Sequence, residues 1–368
     1  MAELKKPPMG SLQMDSDKVD QLIEIATLSP ADFAPSTEEE KEHFIQPQKS
    51  IGYWQDAWRR LKKNRVSMVA LGILILIMLF AFVGPMVLPY KYDQQIRTSL
   101  NLAPMQYSEA EQTARAAGES VFPHIFGTDT HGRDILARTM MGTRVSMSIG
   151  VMAALLVLVI GSIYGSISGY FGGMVDNIMM RIVEVIYSVP EVLVVLLLSI
   201  SLRPWLENFL NTNTNSAFAQ PIRVLGSSII AIFISFALLY WVTMARIIRG
   251  QVLQLKEQEY VTAARALGAS SGRIIKKHLL PNCIGSMIAA TCLQIPSAIF
   301  LESFLSFLGV GVQAPLTSLG SMCSDALGGM YTYTYRLIIP AIILGIMLLS
   351  FNLFGDGLRD ALDPRLKK

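Results

Sequence analysis

The chain has 368 residues, 52% of them hydrophobic and only 16% charged. Soluble proteins carry charge on about a quarter of their residues, and the apolar residues here fall in blocks long enough to cross a bilayer. A soluble enzyme is therefore excluded, and a net charge of +3 is too small for a nucleic-acid-binding surface. The cysteines Cys283, Cys292 and Cys323 have no metal-ligand spacing; the first two share one apolar block and read as packing residues.

Residues 1–50 are polar, mixed in charge and interrupted by prolines. They are expected to form a partly disordered cytoplasmic tail, with one short amphipathic helix over Val19–Leu28 and a helix start at Thr37–Glu40. No apolar core with a small-residue cleavage site precedes the first span. Residues 51–65 set Trp54 and Trp58 beside Arg59, Arg60, Lys62, Lys63 and Arg65. Aromatic and basic residues mixed in this way suit the membrane–water interface.

A transmembrane domain is predicted over 66–368. Its first span is the uncharged Val66–Leu88. Residues 89–143 follow as a long extracytoplasmic loop, in which Thr128 or Asp129 is predicted to cap a helix starting near Arg133. His124 and His131 lie in this loop without the carboxylate or cysteine framework of a metal site, so a structural role is expected. The second span, Val145–Gly169, repeats glycine every fourth residue at 161, 165 and 169. That pattern makes one helix face smooth enough for a close neighbour.

Gly172–Gly173 and Asp176–Asn177 are predicted to turn the chain. The third span is expected over Ile178–Leu202, bent at Pro190, with Arg181 and Glu184 paired one turn apart. Glu191 falls inside it. An ionisable side chain is costly there, and faces either a partner or a wet pathway. A polar loop is expected over 203–223. The fourth span, 224–245, continues as helix through Arg246 and Arg249. The fifth, 283–308, contains Pro296 and, nearer its outer end, Glu302, a second candidate for lining a pathway. The uncharged run at 309–320 is read as an outer loop or shallow re-entrant turn, and the sixth span covers 337–355. Lys and Arg concentrate before the first span, between the fourth and fifth, and at the C-terminus. By the positive-inside rule both termini are cytoplasmic, and the fold class is an all-α polytopic membrane protein of six helices.

Residues 246–282 form the most informative loop. Its core reads Glu259-Tyr260-Val261-Thr262-Ala263-Ala264-Arg265-Ala266-Leu267-Gly268-Ala269-Ser270 and ends at Leu280-Pro281. Alanines favour a helix, and Gly268 is predicted to stop it. A second helical stretch is expected over Ile274–Leu280. Small residues at Ala263 and Ala264 let another protein's surface approach closely. The pattern of Ala-Ala, three residues, Gly, and a later apolar run into Leu-Pro resembles the signature loop of ATP-binding cassette importer permeases, in the peptide-importer branch. Three further segments resemble that family in the expected order: 126–134, Glu302–Gly309, and Asn352–Asp360 with Leu362-Asp363-Pro364-Arg365. Thr262 stands where the family most often has glutamate, and His278 where it has an aliphatic residue.

The resemblance covers about Trp54 to the end and implies a type I importer permease fold in the plasma membrane of a prokaryote. It implies that Glu259, Tyr260, Ala263, Ala264, Arg265, Leu267, Gly268, Ala269 and Pro281 belong to a coupling helix docked on an ATPase. It also implies a second homologous permease chain, two ATPase subunits and an extracytoplasmic peptide-binding protein as partners. No Gly-x-x-x-x-Gly-Lys-Ser/Thr loop occurs in the chain, so ATP is expected on the partners and no cofactor on this chain. Oligopeptides are the expected substrates, with dipeptides, nickel or another small solute as alternatives. A secondary transporter or channel is the rival class; such proteins often carry inverted repeats, and no two halves of this sequence match.

Overall fold

A computed structural model describes residues 52–212 and 226–362. The predicted tail over 1–50 lies outside them, as does most of the loop expected at 203–223. Apart from one antiparallel bridge between Thr128 and Asp134, the regular elements among the described residues are helical. Six helical stretches are long and apolar enough to cross a membrane: Arg65–Val87, Ile135–Phe171, Glu191–Thr212, Ser227–Leu255, Ser271–Phe307 and Tyr335–Leu362.

The first helix, α1 (Tyr53–Lys63), carries Trp54 and Trp58 exposed and buries Ala57 and Leu61. Asn64 breaks it from α2 (Arg65–Phe82), its side chain accepting from the Ser67 amide. A short helix follows, α3 (Glu109–Ala116), started by a reciprocal box between Ser108 and Glu111.

The second crossing, α4 (Ile135–Phe171), begins ten residues before the predicted Val145, so the loop expected over 89–143 is shorter than that. Its cap is Asp134, which accepts from the Ala137 amide at 2.8 Å, and not Thr128 or Asp129. Those two are occupied elsewhere. Thr128 Oγ1 accepts from the Leu102 amide at 2.9 Å, and Asp129 accepts from the amides of His131 and Arg133. Loop 96–103 lies directly over this turn: a Cβ on Gly132 would sit 2.0 Å from the Ile96 carbonyl.

The third crossing also departs from expectation. Gly172 and Gly173, both at positive φ, turn the chain into α5 (Gly173–Tyr187), which already contains Asp176 and Asn177. At Pro190 the helix is broken rather than bent: Ser188–Pro190 separate α5 from α6 (Glu191–Thr212). The latter runs ten residues past the predicted end at Leu202, helped by an Arg203–Glu207 ion pair at 2.9 Å. The fourth crossing comprises α7 (Ser227–Leu239) and α8 (Trp241–Leu255), interrupted at Tyr240. Beyond it come α9 (Glu259–Ala266), α10 (Ser271–Ile274), a π turn over Ile275–Leu279, and α11 (Leu280–Phe307). The run expected as an outer loop, 309–320, leads at its end into a short helix, α12 (Leu319–Ala326), and the last crossing is α13 (Tyr335–Leu362).

The glycine stripe does what its spacing predicts. A Cβ on Gly161 would meet Met244 at 2.6 Å, one on Gly165 the Ala245 carbonyl at 2.4 Å, and one on Gly169 the Arg249 carbonyl at 2.9 Å. Helix α8 therefore lies backbone-close along α4 for three turns. Contacts also sort the molecule's ends. At one end Tyr53 Oη donates to the Leu362 carbonyl at 3.0 Å, beside Gly285 near the start of α11. Loop 256–270 shares that end, since Lys256 Nζ donates to the Gly169 carbonyl at 3.0 Å. At the other end Arg138 joins Asp129 (2.6 Å) to Asp325 (2.8 Å), and Tyr335 Oη donates to the Leu102 carbonyl at 2.7 Å. The described N- and C-terminal helices thus meet on one side of the bundle, as six crossings require.

Candidate functional site

Helix α9 and the turn after it form a platform held from below and bare above. Val261, Ile274 and Leu279 are fully buried, packed into a cluster with Ile248, Val252 and Cys283. Burying each such side chain is worth about 1.5–3 kcal/mol, so three of them fix the platform without any ion pair in the loop itself. Its opposite face presents Glu259, Tyr260, Ala263, Arg265 and Leu267, all exposed, with Ala264 and Ala269 half-buried beneath and Pro281 exposed beside them. Leu267 is 89% exposed, an apolar side chain that the described fold leaves uncovered.

Gly268 ends α9 as the sequence predicts. Its φ is +81°, its amide donates to the Arg265 carbonyl at 3.0 Å, and the Ala269 amide donates to the Ala264 carbonyl at 3.1 Å. No atom lies within 4 Å of where its Cβ would stand. Glycine is thus demanded by backbone conformation, not by crowding. The stretch predicted as a helix over Ile274–Leu280 is a π turn leading without a break into α11. The platform and the fifth crossing therefore form one mechanical unit.

Side chains from three crossings brace it. Arg265 lies over the Tyr170 ring at 5.9 Å. Burial pushes the Tyr260 hydroxyl above its ordinary pKa, although Asn282 donates to it at 3.2 Å. Asp176 on α5 takes a two-pronged contact from Arg249 on α8, with Nε to Oδ1 at 2.5 Å and the second prong from Nη2 to Oδ2. Ser168 of α4 donates to the same carboxylate. Sequence reading placed Asp176 in a turn and missed this latch. The available signal was an acid at the first turn of α5 and an arginine ten residues before the platform helix, but their meeting depends on how α5 and α8 pack.

The two carboxylates singled out from the sequence occupy different surroundings. Glu302 is 0% exposed. It accepts from Ser306 at 2.7 Å, Ser146 at 2.8 Å and Ser303 at 3.2 Å, joining α11 to α4 with its oxygens already satisfied. Glu191, by contrast, lines a cavity of about 750 Å³ between α6, α8, α11 and α13, with Tyr240, Thr243, Gln294 and Asn352. Tyr240 shares the cavity wall with it.

The far end carries a third charged cluster. His124 is fully buried, with Nδ1 at 2.7 Å from Asp134 and Nε2 at 3.1 Å from Glu111, and Tyr90 stacks on it at 4.4 Å. Burial opposes the imidazolium, but hydrogen bonds and charge from Asp134 and then Glu111 outweigh it and hold its pKa above the ordinary value. Burial likewise opposes the Asp129 carboxylate. The charge of Arg138 and the Arg133 amide overcome this and hold its pKa low.

A bundle of six apolar crossings, a bare platform at one end and a mid-bundle cavity with a few polar side chains among apolar ones define a polytopic membrane permease. Residues 158–368 match the family described as the binding-protein-dependent transport system inner membrane component, and residues 52–104 match the N-terminal transmembrane domain of oligopeptide transport permease C. The chain belongs to this binding-protein-dependent permease family. It is 44% identical over 320 residues to a dipeptide transport system permease protein of Bacillus subtilis, covering 87% of this chain and 88% of that protein. It is 43% identical over 320 residues to an oligopeptide transport system permease protein of the same organism, covering 87% and 92%. The oligopeptide permease protein of Escherichia coli K12 is 39% identical over 312 residues, covering 85% and 91%.

Proposed function

We propose that this chain is a permease subunit of an ATP-driven peptide importer in a bacterial inner membrane. It forms half of the translocation pathway with a second, homologous permease. The platform is the coupling element: Glu259, Tyr260, Ala263, Ala264, Arg265, Leu267, Gly268, Ala269 and Pro281 form the surface that an ATPase subunit grips from the cytoplasm. Both termini lie on that side, and a binding protein delivers peptide at the opposite end. The chain itself carries no nucleotide site; two ATPase subunits supply the energy. When they close, the platform moves with α11, and α8 carries the motion along α4, a rigid-body switch between two packings.

The observation that carries this reading is the platform: anchored from below by three buried aliphatic side chains, yet exposing a small-residue face and a bare leucine above. The test is Gly268→Val in the assembled importer. A β-branched residue at this φ costs about 1–2 kcal/mol of local backbone energy and tilts the platform without touching the core. Peptide uptake and peptide-stimulated ATPase activity are expected to fall together; their survival would refute the coupling role. Oligopeptides are the proposed substrates, in line with the match of residues 52–104. Dipeptides remain the second reading, because the dipeptide and oligopeptide relatives are almost equally similar. Ligand binding to the cognate binding protein, measured by calorimetry across peptide lengths, separates the two.

A further inference from the structure

The third, fourth and fifth crossings are all irregular at one level. Helix α5 has 15 residues between the Gly172–Gly173 turn and its break, which at 1.5 Å per residue is about 22 Å. Helix α8 also has 15 residues between the loop end and Tyr240, again about 22 Å. Pro296 stands sixteen residues into α11, about 24 Å along it. The break before Glu191, the interruption at Tyr240 and the proline thus share one height, near the middle of a bundle whose longest helix, 37 residues, measures about 55 Å. Irregular backbone at such depth is tolerated where it lines a polar cavity, and these three features line the same 750 Å³ cavity.

Its one carboxylate is Glu191, exposed to the cavity and without an ion-pair partner among the described residues. Arg246, six residues beyond Tyr240 on α8, keeps its guanidinium over the Tyr187 ring at 4.4 Å and makes no ion pair with Glu191. The remaining polar side chains on the wall, Tyr187, Tyr240, Thr243, Gln294, Ser297 and Asn352, are neutral, and the rest of the lining is apolar. A fixed anion with neutral hydrogen-bonding groups beside it, in an otherwise apolar cavity of small-ligand size, selects a compact cation with several donors.

Resting on the importer reading above, we propose that Glu191 and Tyr240 form a mid-bundle recognition site for a primary ammonium group of the passing substrate. The ammonium comes from the peptide's N-terminus or from a lysine side chain. It donates to the Glu191 carboxylate and to the Tyr240 hydroxyl oxygen, whose proton then turns toward Glu191. Such a site compensates the substrate's charge at the level where leaving it bare is most costly.

The test uses the whole importer in proteoliposomes, its binding protein saturated with Ala-Ala-Ala, Ala-Lys-Ala or Ala-Glu-Ala. Glu191→Gln is expected to slow uptake at least about tenfold, the loss of one charge-assisted hydrogen bond, while Glu191→Asp restores most of it. Equal slowing of all three peptides identifies the N-terminal ammonium; slowing of Ala-Lys-Ala alone identifies the side chain. Uptake by Glu191→Gln equal to wild type for every peptide overturns the site. So does a Gln variant that no longer co-purifies with the second permease, for Glu191 is then a contact between chains. If the wild type itself imports none of the peptides, the importer reading fails instead.

Discussion

At the end of the bundle that carries residues 89–134, charges tie the chain to itself. Arg138 links Asp129 to Asp325, and His124 links Asp134 to Glu111. Arg336 reaches Asn101, and Tyr335 reaches Leu102. At the opposite end the platform is held by aliphatic side chains and by one arginine–carboxylate latch between the crossings that lead to it. Ion pairs and hydrogen bonds fix distance and angle, whereas apolar contacts fill space but let helices slide or rock. On the proposed coupling role, the far end keeps its shape and the platform end passes on a displacement. Between them runs the α4–α8 contact, which must be stiff for either role to matter.

The largest effect is expected from breaking that shaft. Gly165→Leu drives a side chain into the Ala245 backbone, where even a Cβ has only 2.4 Å. A backbone atom cannot rotate away, so the cost exceeds the ~1–3 kcal/mol usual for overpacking. The variant is expected not to accumulate as a folded subunit, whereas Gly72→Leu, at a position with open space around it, is expected to behave as wild type. Size-exclusion profiles of the detergent-purified chains compare the two.

Next comes the far end. Arg138→Met leaves Asp129, 6% exposed, with Arg133 as its remaining cation, while Asp325, half exposed, keeps only the longer Arg133 contact at 3.7 Å. Breaking a buried pair costs about 3–5 kcal/mol, and the surviving Arg133 contact puts this case at the lower limit. Thermal unfolding of the purified complex should register a clear drop in Tm. An unchanged Tm would mean that the charged end is no more rigid than the apolar one, and the contrast would fail.

A smaller effect is expected from pH. His124 has a folded pKa raised above its unfolded one. The stability it contributes is therefore fully present below the ordinary value near 6.5 and is lost as pH rises through the raised value. Tm should fall on going from mildly acidic to alkaline buffer, and His124→Gln should flatten that dependence. Asp129 has the opposite sign: its pKa is lowered, so its share appears above the ordinary carboxylate range and is lost only as pH falls through the folded value.

What the sequence could and could not reveal follows the same division. The six crossings, the glycine stripe and the stop at Gly268 were legible because each rests on a local pattern: uncharged length, a four-residue repeat, a glycine closing an alanine-rich helix. The caps and breaks were less so. Thr128, Asp129 and Asp134 are all good cap residues, and only the fold of loop 96–103 over 127–132, which occupies the first two, selects the third. Pro190 announces an irregularity but not whether the helix bends or stops. Glu191 and Glu302 look alike in sequence. One faces a cavity and the other four serines because Ser146, Ser303, Ser306 and Ser318 gather only when α4, α11 and the turn before α12 meet. Arg265 on Tyr170 and Arg249 on Asp176 are likewise contacts between distant segments.

The smallest effect on stability, and the sharpest on function, is expected at Leu267. With 89% of its surface exposed, it contributes little to the fold, and Leu267→Ser should change unfolding stability by no more than about 0.5 kcal/mol. An isolated exposed leucine needs no explanation by itself. This one stands at the C-terminal lip of α9, beside an open glycine and above the buried side chains that immobilise the helix. If an ATPase closes over the platform, Leu267 becomes a central apolar contact, and truncating such a residue costs about 2 kcal/mol or more of binding. Recovery of the ATPase with the affinity-tagged permease should then fall roughly 30-fold, about 2 kcal/mol at 1.4 kcal/mol per decade, while Tm of the isolated chain stays put. Equal recovery would place the contact elsewhere on the platform. A loss of Tm together with recovery would instead mean that Leu267 is needed for folding, and the division between an end that holds and an end that transmits would no longer stand.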